Sequence, residues 1–382
     1  MNFLFETSRR IVAEDGAALK LGEIARGLGA VRALVVTDQG LVQAGLIDDP
    51  VAALKAAGVE PVLFTDVLAD PPEPAVMQAV EAAVEAKADC VIGLGGGSSL
   101  DTAKLVALLA ATGQTPGQVY GIDVARGPRL PLILVPTTAG TGSEVTPISI
   151  VTTPTDEKKG VVSPLLYPDV AVLDPVLTLG LPPRVTAMTG IDAMVHAIEA
   201  YTTRHKKNPI SDALAVKALE LLGGSILTAV QNGGDLDARR AMLQGAMLAG
   251  MAFANAPVAA VHALAYPLGG RFHVPHGLSN ALVLAPVLEF NLPAASGLYA
   301  ELRRALPPWL TEARSEGGEG FVEALKTLVA AMPMEARLAD VGVTEADIAD
   351  LATDAMNVQR LLVNNPRDVT YDDCVAIYRS VL

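Results

Sequence analysis

The chain has 382 residues, longer than one hydrophobic core usually serves, so two domains are expected. Hydrophobic residues make up 51% of it and the mean hydropathy is +0.39, which excludes a disordered chain and permits a large core. Lys and Arg total 28 against 42 Asp and Glu, giving a formal charge of −14, and aromatics are only 4%. Such a surface repels phosphate backbones and anionic membranes and lacks base-stacking platforms, so neither nucleic acid nor membrane is an expected partner.

The opening MNFLFETSRRIVAEDG has no basic segment followed by an apolar one, so no secretory signal is expected and a cytoplasmic location is the default. Short runs rich in Val, Ile and Leu occur at 32–37, 61–65, 90–94 and 131–135, bounded by Gly, Pro or Asp. Segments with helical spacing at 17–29, 50–57, 73–87 and 98–111 alternate with them, which predicts βαβ units and a parallel sheet buried on both faces. Beyond about residue 180 the strand pattern stops. Ala/Leu-rich segments at 184–203, 209–231, 235–254, 258–268, 319–332 and 344–356 then carry helical spacing. The paired prolines of Leu181-Pro182-Pro183 place the boundary, giving an α/β domain at 1–182 and an all-helical domain at 183–382.

From Ala241 to Gly270 there is no Asp, Glu, Lys or Arg, a stretch long enough to span a bilayer. Gln244, Asn255, Pro257, His262 and Pro267 would be costly in lipid, so it reads as a buried helix, a break and a second buried helix. Two cysteines, Cys90 and Cys374, cannot make a disulfide framework or a thiolate zinc site. Cys90 reads as a core residue, and Cys374, in a polar segment, gives no catalytic signal.

Strand 90–94 runs into Gly95-Gly96-Gly97-Ser98-Ser99-Leu100-Asp101 and then a helix. Glycines let a ligand approach the backbone, and a helix N-terminus offers free N–H groups and partial positive charge, so pyrophosphate suits this loop. Ser98 and Asp101 have capping-box spacing. The pattern is neither a P-loop nor GxGxxG, and a tight turn without a ligand is the plain alternative. A second loop, Pro136-Thr137-Thr138-Ala139-Gly140-Thr141-Gly142-Ser143-Glu144, follows the next strand, at the end where parallel sheets bind ligands. Asp38, closing strand 32–37, is suited to accept hydrogen bonds from an adenine ribose and to repel a 2′-phosphate, favouring NAD over NADP. On its own it reads as a helix cap.

Four of the five histidines lie in two windows. Asp192 and His196 are four apart on one helical face; His262 lies on the uncharged stretch; His276 stands at a helix start, with His273 just before it. One of these alone reads as a hydrogen-bonded core residue. Asp192, His196, His262 and His276 together offer one carboxylate and three imidazoles, which suits Fe²⁺ or Zn²⁺ with positions open for substrate. His205, in a basic turn, has no assigned role.

GGGSSLDTAK (95–104), PTTAGTGSEVTP (136–147), TGIDAMVHAIEAY (189–201) and VHALAYPLGGRFHVPHGLSNALVL (261–284) resemble the iron-containing, group III alcohol dehydrogenases, in order and over nearly the whole chain. The resemblance implies an N-terminal NAD-binding α/β domain, a helical metal-binding domain with the active site in the cleft between them, and a homodimer or larger homo-oligomer. It implies a metal site of Asp192, His196, His262 and His276. The implied cofactor residues are Asp38, Gly96, Gly97, Ser98, Asp101, Thr137, Thr138, Thr141, Ser143 and Lys159; Phe253, near the ligands in sequence, is a candidate for the substrate pocket. The implied chemistry is hydride transfer between a small alcohol and NAD at a metal that polarises the substrate oxygen. Some members carry a further histidine four residues after the third ligand, where this chain has Tyr266. A proton relay there falls instead to Tyr266 or His273.

Maleylacetate reductases and hydroxyacid–oxoacid transhydrogenases share the superfamily but act on anions, which calls for Lys or Arg near the metal. Phe253, Ala254, Asn255, Ala256 and Val258 are apolar or neutral and favour uncharged small alcohols or aldehydes, with Arg271 the exception. A non-catalytic binding protein retaining the fold would be expected to lose ligands or the glycine loop, and neither is lost.

Overall fold

Alternating side chains on a strand point to opposite faces, so strands apolar at every position need a layer on each side. The computed structural model of the protein, which describes residues 2–155, 157–312 and 315–382, has that arrangement in its first half. The strands in chain order are β1 (Ile11–Ala13), β2 (Arg32–Val36), β3 (Glu60–Phe64), β4 (Cys90–Gly95), β5 (Gly121–Ile122), β6 (Leu132–Pro136), β7 (Ile148–Thr152), β8 (Lys158–Val162) and β9 (Val170–Leu173). Helices α1 (Leu21–Gly27), α2 (Gln39–Gln43), α3 (Asp48–Ala56), α4 (Glu73–Glu85) and α5 (Gly97–Thr112) lie between the strands. The chain divides into two units, Glu6–Gly180 and Leu181–Leu382, the latter with the chain's first residues up to Phe5.

In the first unit, six strands form an all-parallel sheet in the order β1-β9-β6-β4-β2-β3. Leu34, Val36, Val91 and Leu134 face a core shared with α4 and α5. Ala33, Val35, Cys90, Ile92 and Ile133 face the opposite core, shared with α1 and α3. A separate small sheet pairs β8 with β7 antiparallel and with β5 parallel. The expected strands are present, and β1, β5, β7, β8 and β9 are additional. β1 and β5 are only three and two residues long, too short to show a period. From β2 the chain turns outward to β3; from β4, on the other side of β2, it winds the opposite way to β6. The C-terminal ends of β2 and β4 therefore border the reversal point, where open α/β sheets bind ligands.

The second unit holds α6 (Pro183–Thr202), α7 (Pro209–Gln231), α8 (Leu236–Asn255), α9 (Ala260–Phe272), α10 (His276–Arg303), α11 (Pro308–Thr311), α12 (Gly317–Ala330), α13 (Ile348–Asn357), α14 (Gln359–Leu362) and α15 (Tyr371–Arg379). The uncharged stretch is two helices, α8 and α9, bent by 105° at their break. α7 and α10 are also long and apolar enough to cross a membrane by length and composition. α10 runs 28 residues despite Pro286 and Pro293, which hid it from a sequence reading beyond its start. Cys374, read as lying in a polar segment, is buried on the inner face of α15.

Buried polar groups tie the loop after β6 to α5. Lys104 Nζ, fully buried, donates to the Ile148 carbonyl (2.7 Å) and Thr146 Oγ1 (3.2 Å) and lies 3.6 Å from Asp101 Oδ1. The Asp101 carboxylate accepts from Ser143 Oγ (2.6 Å) and the Ile150 amide (3.0 Å). The expected Ser98–Asp101 capping box does not form: α5 begins at Gly97, and Asp101 is engaged by the neighbouring loop instead. Burial pulls Lys104 down to about 8 against the pull of Asp101 and Glu144. Burial likewise pushes Glu144 up to about 7, against its own backbone amide and Lys104.

Because the folded-state value for Glu144 lies above the ordinary 4.5, folding favours its protonated form. That stabilisation is complete below about 4.5 and is lost as pH rises through about 7. Glu144→Gln, which cannot ionise, should flatten the fall in Tm between about pH 5 and pH 8, a contribution on the order of 3 kcal/mol. Thermal unfolding across that range checks it, and an unchanged slope in the variant would contradict the assignment.

Candidate active site

The glycine turn follows from its strand and its neighbours. Gly95 has φ +155°, and a Cβ there would come within 2.5 Å of Ser99 Oγ, so the chain needs glycine to pass from β4 into α5. The Thr137 amide donates to the Gly95 carbonyl (2.9 Å), which sets the second loop beside the first. A Cβ on Gly96 would sit 3.6 Å from Thr138 Cγ2, and one on Gly97 only 2.8 Å from Thr141 Cγ2. The first amides of the 16-residue α5 have no intrahelical acceptor and open onto this pair of loops, an arrangement suited to pyrophosphate.

Asp38 does two things at once. Its Oδ1 caps α2 by accepting from the Leu41 amide (3.1 Å), and its Oδ2 lies 3.6 Å from where a Gly95 Cβ would be. Capping α2 through Oδ1 thus leaves Oδ2 beside the glycine turn. Ser98 lies half-buried at the start of α5, while Asp101 and Ser143 bind each other and brace the two loops. Lys159 is on β8, away from the glycine turn in sequence and half exposed, paired with Glu157 at 2.8 Å.

In the helical unit, four expected ligands converge. Asp192 and His196 come from adjacent turns of α6, His262 from α9 and His276 from the first residue of α10. One ligand atom from each lies within 4.8 Å of all the others. Asp192 Oδ1 is 3.6 Å from His276 Nε2 and 3.9 Å from His262 Nε2, and its Oδ2 is 4.0 Å from His196 Nδ1. These separations are too long for hydrogen bonds and close to what two ligands, each about 2 Å from a shared ion, can span. Gly277 permits the approach: a Cβ there would meet the Met188 carbonyl oxygen of α6 at 2.4 Å.

Asn280, one turn into α10, aims its Nδ2 at the same centre, donating to Asp192 Oδ1 (2.6 Å) and lying 3.3 Å from both His262 Nε2 and His276 Nε2. Its Oδ1 is buried without a hydrogen-bond partner among the described residues. A buried amide with an orphaned acceptor, facing lone pairs that all point to one place, fits a cation site. Burial alone would raise the Asp192 carboxyl, but His196, His276, His262 and the Asn280 amide outweigh it and hold it below the usual carboxylate range.

Around this cluster, Phe253 stacks on His196 with ring centroids 4.3 Å apart, and Tyr266 lies 6.0 Å from His276. His273 caps α9 in a left-handed conformation (φ 52°) with its side chain exposed, and among the described residues it makes no side-chain contact with the four ligands. Arg271 is committed to Asp354 (2.5 Å) and Asp350 (3.1 Å).

Besides Asn280, a second functional residue escapes the sequence reading. Glu199, buried on α6, accepts from His262 Nδ1 (2.6 Å) and from the Val261 amide (2.7 Å). This bond places the proton on Nδ1 and leaves Nε2 as the lone pair facing the centre. The signal was available: Asp192, His196 and Glu199 are spaced four and three, one stripe of a helix. Glu199→Gln should weaken divalent-metal binding roughly 10- to 100-fold in a chelator competition. Unchanged affinity in a folded variant would remove Glu199 from the site.

Two family descriptions divide the chain: "Iron-containing alcohol dehydrogenase" matches residues 8–175, and "Fe-containing alcohol dehydrogenase family, C-terminal" matches residues 186–382. Long-chain-alcohol dehydrogenase 1 of Geobacillus thermodenitrificans is 42% identical, covering 96% of this chain and 93% of its own. A solved 1,3-propanediol oxidoreductase is 33% identical with a TM-score of 0.95, covering 100% of both chains. Sulfoacetaldehyde reductase from Bifidobacterium kashiwanohense, solved with NAD+, is 29% identical with a TM-score of 0.91 over 100% of this chain and 99% of that one. With both halves matched and full-length relatives above 30% identity, the chain belongs to the iron-containing alcohol dehydrogenase family, whose members are oxidoreductases acting on alcohols.

Proposed function

We propose that the protein interconverts a small alcohol and its carbonyl compound with NAD, using Fe²⁺ held by Asp192, His196, His262 and His276. The observation that carries this reading is the convergence of four ligand atoms within 4.8 Å, three of them from buried residues and the fourth from the half-buried His276. The bound ion would act as a Lewis acid on the substrate oxygen. NAD, the hydride carrier, would lie on the α5 N-terminus with Gly96, Gly97 and Ser98, flanked by Thr137, Thr138 and Thr141. Asp101 and Ser143 hold those loops in place, and Asp38 Oδ2 is offered to the ribose. The NAD+ complex of the Bifidobacterium relative supports this choice of cofactor.

The side chains of this unit have separate tasks. Glu199 and Asn280 orient His262 and Asp192, and Phe253 covers His196 with an apolar ring that keeps water off that side. Tyr266 is the better placed of the two relay candidates, since its ring faces His276 whereas His273 is turned out to solvent. Oligomeric state and cellular location belong to the same reading: a homo-oligomer working in the cytoplasm.

The test is NADH formation by protein loaded with Fe²⁺ and offered NAD and a panel of short alcohols. Activity should disappear in Asp192→Ala together with bound metal by elemental analysis, and NAD should be preferred to NADP until Asp38→Gly narrows the difference. NADH formation by a metal-free Asp192→Ala protein would overturn the metal assignment. Equal or better kinetics with NADP in the unaltered enzyme would overturn the role of Asp38.

A further inference from the structure

The four ligands are unequally covered. Asp192, His196 and His262 are almost wholly buried, while the His276 side chain is 33% exposed, so a substrate reaches the cluster from the His276 side. Tyr266 borders that side, and the guanidinium of Arg360 on α14 lies 5.8 Å from the Tyr266 ring centroid. Arg360 has no carboxylate partner among the described residues, whereas Arg271 on α9 is neutralised by Asp350 and Asp354 of α13. The site therefore has two unlike ends: an apolar ring against His196 and an uncompensated cation beyond Tyr266. On a chain of net charge −14, such an exposed cation, one aromatic ring away from His276, favours an oxyanion.

We propose that Arg360 is a specificity residue that binds a carboxylate or sulfonate carried on the alcohol or aldehyde at the end remote from the reacting carbon. The inference rests on the reading above in taking the four-ligand cluster as the place where the alcohol or carbonyl carbon reacts. It goes beyond the expectation from sequence that the surroundings favour uncharged substrates, because Arg360 lies 84 residues beyond His276, the nearest ligand in sequence, and comes near the site only through the packing of α14 on α9.

The experiment compares 4-oxobutanoate with pentanal as NADH-dependent substrates of the metal-loaded wild type, Arg360→Leu and Arg360→Lys. Succinate binding is followed by calorimetry on the same proteins with and without metal. In Arg360→Leu the ratio of kcat/KM for 4-oxobutanoate over pentanal should fall about tenfold, through KM, and succinate should bind about tenfold more weakly. Arg360→Lys should recover part of both, with KM for NADH unmoved. An unchanged ratio, or a rise in KM for NADH with the ratio fixed, would overturn the proposal; the second outcome would make Arg360 a cofactor anchor. If the wild type reduces neither aldehyde yet binds succinate in an Arg360-dependent way, the proposed reaction fails and the anion site stands.

Discussion

A carboxylate and three imidazoles meet in the helical unit, three of the four groups buried, and that is costly unless something positive joins them. Each of the four offers a lone pair, and the buried amide of Asn280 is turned toward them as a weak substitute for a cation. Much of the local architecture follows from bringing these donors together. α6 supplies two of them because a four-residue interval returns to the same face. α9 begins after a sharp break so that His262 can meet α6, and α10 comes close enough only because position 277 is glycine. The Glu199–His262 bond adds a second layer, fixing both the tautomer and the ring.

The glycine turn in the α/β unit meets a different demand, passage from β4 into α5 close beside a second loop, and in the proposed reading it admits the cofactor's pyrophosphate. Here the sheet supplies the location, through the reversal of winding between β2 and β4, and small residues supply the room. The acidic and hydroxyl groups beside it are not all aimed at a ligand. Asp101 spends its carboxylate on Ser143, the Ile150 amide and Lys104, and so holds the threonine loop against α5. A residue that belongs to a cofactor-site motif can thus act on the loop rather than on the cofactor.

Much of this was legible in the sequence. The strands apolar at every position, the glycine turn and the four metal-site residues could be read because each depends on local pattern or on residue types rarely buried without cause. The features that were missed share the opposite property. β1 and β5 are too short to show a period, and α10 carries two internal prolines that usually end a helix. The Ser98–Asp101 spacing suggested a local cap, but a contact with Ser143, 42 residues away, won. Arg360 and Tyr266 meet only by tertiary packing, and no spacing along the chain announces them.

The central claim, that one ion is held by these four side chains, is tested most directly by anomalous diffraction at the iron edge from crystals of the protein prepared with Fe²⁺. A single strong peak enclosed by Asp192, His196, His262 and His276 is expected, with Glu199 still bonded to His262 behind it. A peak elsewhere, or one lacking any of the four as a ligand, would contradict it.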